Sequence, residues 1–155
     1  MKLKTILFIL ICQLAIPALF AQNDVQVKNI FEQYGKRKGS IMIQLSTDIL
    51  SPRTRMSLYK SLVVKQDEDI VNSLGLVLDN AAKQGTKLTE ISKSGRIENA
   101  AYYIEVKNSA DTYDYILYNE SKGQITFVYM RGNFPPKELD KELKKLKDLF
   151  IYINK

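Results

Sequence analysis

Chemistry in this chain would have to run on carboxylates, lysines, hydroxyls and tyrosines, because histidine and tryptophan are absent and the only cysteine is Cys12. Zinc, haem and iron–sulfur centres therefore lack a ligand set, and no cofactor is expected. An acid–base enzyme of this composition needs a carboxylate, lysine or tyrosine whose pKa is moved toward working pH. Asp67, Glu68 and Asp69 stand together, but three acids ahead of a helical pattern suit a helix N-terminus, and no EF-hand spacing follows. Ser57-Leu58-Tyr59-Lys60 has the spacing of a serine nucleophile and its lysine base, yet the accompanying S-D-N and K-T-G elements and a G-x-S-x-G elbow are missing. Gly35 and Gly39 flank Lys36-Arg37-Lys38 without the order of a phosphate-binding loop, and neither Gly75 nor Gly85 belongs to a G-x-G-x-x-G run. An enzyme is not expected on these residues. The enzyme alternative is a carboxylate-dependent hydrolase, which requires two acids converging in one pocket.

The elements that would carry these residues follow from periodicity. Val27, Ile30, Phe31 and Tyr34 recur at helical spacing between Asp24 and Lys38, with Gly39 as the stop. Ser40 to Ser46 alternates as a strand, and Tyr59 to Val64 reads as a second one after a polar connection holding Pro52, Arg53 and Arg55. Asp67 to Gln84 is the central helix, with Ile70, Val71, Leu74, Val77, Leu78 and Ala81 on its apolar side. Period-two patterns then cover Lys87 to Ser92, Ala100 to Lys107, Thr112 to Asn119 and Gln124 to Arg131, separated by Ser94-Gly95, Asn108 to Asp111 and Glu120 to Gly123. Pro135-Pro136 opens a last helix striped by Leu139, Leu143, Leu146, Leu149 and Phe150. This order predicts an α+β domain: an antiparallel sheet of five to six strands with the N-terminal, central and C-terminal helices packed on one face.

Nine tyrosines, concentrated in the later strands, are the most distinctive side chains. Both faces of those strands are more apolar than a half-exposed sheet needs. One reading is that the face turned away from the helices presents Tyr103, Tyr113, Tyr115, Phe127 and Tyr129 to a protein, glycan or lipid, since a phenol combines apolar area with a hydroxyl handle. The other is that tyrosines edge the core and pair across strands. The lysines of the last helix could rest on an anionic membrane surface, but Asp140 and Lys144 are ordered for an ion pair and acids dilute the charge, so a solvated face is the better reading.

The N-terminus carries the most specific signal. Lys2 and Lys4 precede an almost unbroken apolar run from Ile6 to Phe20, which ends at Ala18-Leu19-Phe20-Ala21 before polar residues. This predicts a signal peptide over residues 1–21, cut after Ala21, with an uncleaved anchor as the alternative. Residues 22–155 would then be one domain of the 155-residue chain, two charges below the full chain's +6 and without cysteine. An exported chain with no disulfide must be held by its apolar core, which favours a bacterial periplasm, with the envelope or the exterior as alternatives. So mild a charge makes nucleic acid an unsuitable partner.

The Leu19-Phe20-Ala21-Gln22 junction, the Phe31 to Tyr34 helix leading to Gly39 and the strand Ile41 to Leu45, and the ending Tyr129-Met130-Arg131-Gly132-Asn133-Phe134 before a leucine–lysine helix together resemble small exported Bacteroidetes proteins of unknown function. That resemblance implies location rather than chemistry. The expected role is a non-enzymatic periplasmic or envelope-associated binding or interaction module. A structural homodimer formed through the sheet face is its alternative.

Overall fold

The computed structural model describes residues 24–153. The expected leader, its cleavage after Ala21, and Cys12 lie outside the described residues. The chain begins with α1, residues 24–34, and continues through β1 (Ile41–Ser46), α2 (Thr47–Leu50), β2 (Met56–Lys65), α3 (Glu68–Gln84), β3 (Thr86–Lys93), β4 (Arg96–Glu105), β5 (Tyr113–Ser121) and β6 (Gln124–Gly132). A 3₁₀ turn at Pro136–Glu138 leads into α4 (Leu139–Ile153). All neighbouring strands are antiparallel, in the order β1-β2-β6-β5-β4-β3.

Local chemistry explains the boundaries. Asp67 caps α3, its carboxylate accepting the Ile70 N–H at 3.0 Å, and Glu68 and Asp69 sit in the positive first turn. Arg37 stacks on the Tyr34 ring 4.3 Å from its centroid and ion-pairs with Asp67 and Asp69. Asp67 and Asp69 thus tie the turn after α1 to the start of α3. Ser94-Gly95 and Lys122-Gly123 take positive φ at both residues, between the pairs Lys93↔Arg96 and Ser121↔Gln124. That is the two-residue hairpin turn whose twist matches paired strands, and glycine fills its second place at no steric cost.

Two cores result, one on each face of the sheet. On the first, α1 and α3 cover Leu62, Val64, Ala100, Tyr102, Ile104, Ile116, Tyr118, Ile125, Phe127 and Tyr129. On the second, Leu139, Leu146 and Leu149 of α4, with Leu50 of α2 and Phe134, cover Met56, Tyr59, Tyr115 and Met130. The α+β class and the antiparallel sheet are as expected, but the placement of all three helices on one face is corrected. The cause lies just after β6. Phe134 stacks on Tyr115 at 4.9 Å between ring centroids, and the Tyr115 hydroxyl donates to the Phe134 carbonyl at 2.6 Å, which turns the chain onto the second face before α4 starts. Apolar residues on both strand faces are therefore two cores rather than one core and a display surface. No described helix is long and apolar enough to cross a membrane.

Candidate functional site

A groove of about 680 Å³ lies on the second face, beside the first turns of α4. Register builds its floor. Val128, Leu117, Ala101 and Thr89 are successive partners across β6, β5, β4 and β3, and the next row on the same face holds Thr126, Asn119 and Asn99. Pro136, Leu139, Asp140 and Leu143 form the wall on the α4 side, and Leu88 closes the β3 side. Side-chain amides and a hydroxyl thus lie one residue row from an apolar strip, a pattern that can seat a molecule with one greasy and one hydrogen-bonding side. Asp140 is the single carboxylate in the lining, so the groove has no second acid for a hydrolytic pair.

The five aromatic residues expected to share a surface do not share one. Phe127 and Tyr129 face α1 and α3, whereas Tyr103, Tyr113 and Tyr115 face the α4 side. Phe127 and Tyr115 are fully buried, Tyr129 is nearly so, and Tyr103 and Tyr113 are half-buried. The last two meet edge to face at 6.0 Å, and Tyr113 continues to Tyr115 at 6.3 Å. Tyr103 and Tyr115 each stand two residues from a floor residue on the same face, Ala101 and Leu117 respectively.

The remaining chemical candidates have structural partners. Ser57 Oγ donates to the Arg131 carbonyl, while Lys60 Nζ lies 5.8 Å over the Phe31 ring, so serine and lysine do not form a nucleophile and base. Burial, reinforced by the carboxylates of Glu90 and Glu120 respectively, pushes the phenols of Tyr102 and Tyr118 up to about 12. Burial also raises Tyr115 and Tyr129, and Tyr129 accepts a hydrogen bond from Arg131, which is itself held by two bonds to buried Asp114 at 2.6 and 2.8 Å. These phenols stay protonated through the neutral range, so none of them supplies a phenolate base.

A contact that sequence reasoning missed joins α4 to the chain before β2. Glu142, with a fully buried side chain, accepts the Arg55 backbone N–H at 2.9 Å and the Lys145 ammonium at 2.6 Å. Arg55 also reaches Glu138 at 2.8 Å. The signal was present: Leu139, Glu142, Leu146 and Leu149 are spaced three, four and three residues apart, which puts the acid in the buried stripe.

The model of a family of unknown function, DUF6108, matches residues 14–143. The chain belongs to this family. The DUF6108 match spans every strand and the first turns of α4, hence the whole lining of the groove. No curated protein matches the chain.

Proposed function

We propose that this protein is an exported, non-enzymatic binding module that takes a neutral amphiphile into the groove between α4 and β3–β6. The single observation that carries the reading is the groove itself, whose volume lies within the about 300–1,000 Å³ typical of small-ligand sites. Its chemistry selects the ligand class. An acyl or other apolar portion fits Leu117, Val128, Leu139 and Leu143, and a hydroxyl- or amide-bearing portion fits Asn99, Asn119 and Thr126. A charged head group finds no cationic side chain in the lining.

The test is a titration with a short alkyl glycoside below its micelle concentration, followed by backbone NMR shifts. Shifts are expected to concentrate on the groove residues. Val128→Trp, which fills the floor, is expected to weaken binding at least about tenfold, and Asn119→Ala several-fold, with the fold retained at this exposed position. Shifts confined to other surfaces, or none at all, would reject the groove as the site.

Export is supported by the basic start and apolar run of residues 1–21 and by the resemblance to small exported Bacteroidetes proteins. Terminal sequencing of protein recovered from the cell envelope is expected to read Gln22-Asn23-Asp24 first. A start at Met1 would establish an uncleaved leader instead.

A further inference from the structure

With both sheet faces covered, the edges are where the sheet can still meet another chain, and the two edges are built differently. β3 carries Lys87, Glu90 and Lys93, and its register with β4 breaks between Lys87 and Thr89 and again between Ile91 and Ser92. Charges and bulges of this kind keep another strand from adding. β1 has neither. Its six residues are uncharged and hold an unbroken register with β2, and no strand among the described residues pairs with its outer side. Ile41, Met42 and Ile43 are 60%, 46% and 36% exposed, so large apolar side chains project into water from both faces of an open edge.

We propose that β1 is a homodimer interface, pairing antiparallel with β1 of a second copy across a two-fold axis through Ile43. The ends of the strand are what argue for a copy of this chain. Exposed Lys38 precedes β1 and exposed Asp48 follows it, at equal separations from Ile43 along the sequence. A two-fold axis at Ile43 therefore sets Ile41 opposite Leu45 and Met42 opposite Gln44 on matching faces, and it brings Lys38, in the turn before the strand, to the same end of the pair as Asp48 of the other copy, in α2 after it. The pairing extends one sheet into the next and keeps the α4 layers of both copies on the same side. Because the groove lies over β3–β6, at the other end of the sheet, it stays open in both copies.

Sedimentation equilibrium over a range of concentrations, on protein isolated from its own cells, tests this. The native protein is expected to approach twice the chain mass. Ile43→Lys, which opposes two ammonium groups at the axis, is expected to stay at the chain mass, whereas Ile91→Lys on β3 leaves the dimer intact. Lys38→Asp and Asp48→Lys are each expected to raise the dimer dissociation constant several-fold, and the double variant to restore it. Circular dichroism verifies that each variant is folded. A native protein at the chain mass throughout overturns the proposal, as does a dimer that survives Ile43→Lys or a double variant that fails to recover.

Discussion

Replacing Phe127 with alanine is expected to destabilise the protein by about 3–5 kcal/mol, read as a lowered urea midpoint with little change in slope. Its ring is fully buried under the first-face helices and packs 5.5 Å from the Phe31 ring, so truncation leaves a cavity bounded by both a strand and α1. Neighbours on two elements cannot collapse into that space without moving a helix. Tyr103→Ala, from the same set of aromatic candidates, is expected to cost only about 1 kcal/mol, because its half-exposed ring loses less burial. A small effect at Phe127 together with lost binding would reinstate the aromatic residues as a ligand surface.

Glu142→Ala is expected to cost about 3 kcal/mol. The Arg55 N–H loses its acceptor, a cavity opens in the second core, and only Lys145, 37% exposed, can rehydrate. Burial raises the carboxyl pKa, but the Lys145 ammonium and the Arg55 N–H outweigh it, so the folded value lies below the ordinary 4.5. A carboxylate depressed in the folded state contributes stability that is fully present above its unfolded pKa and is lost as pH falls through the folded one. Stability measured by denaturant between neutral pH and pH 3 is therefore expected to fall on acidification, and Glu142→Gln to flatten that acid limb. An equally steep acid limb in the glutamine variant would place the acid sensitivity elsewhere.

Element positions were legible because the signals are local. The Asp67 cap, the apolar stripe of α3, the alternation in the strands and the proline start of the last helix all act within one or two turns. The antiparallel pairing was legible too; what failed was which face of the sheet the aromatic residues and the last helix take. Reading Glu120 to Gly123 as a loose turn left the β5–β6 register open, yet a two-residue Lys122-Gly123 turn pairs Tyr118 with Phe127 and Tyr115 with Met130. That register alone separates Phe127 and Tyr129 from Tyr113 and Tyr115. The side taken by α4 depends on the Tyr115–Phe134 stack, a contact between residues of unrelated pattern, and no periodicity reports it. The groove left a fainter trace: Asn99, Ala101, Asn119 and Thr126 are small or polar at alternate positions in strands otherwise rich in large apolar side chains. One-turn α2 is too short to show a helical period.

The strand order also dictates how the molecule must assemble in time. β3 through β6 form a meander of sequence neighbours, but the β1–β2 pair joins that meander only through β6, and the first-face core needs Phe31 from one end of the fold and Phe127 from the other. Loop-closure entropy for those distant pairings must be met before burial rewards them. During synthesis, β1, β2 and α1 therefore wait, without a completed core, until the last strand has emerged. The sheet's two parts, β1–β2 and β3–β5, meet only at β6, so the first-face core is complete only once that strand is in place.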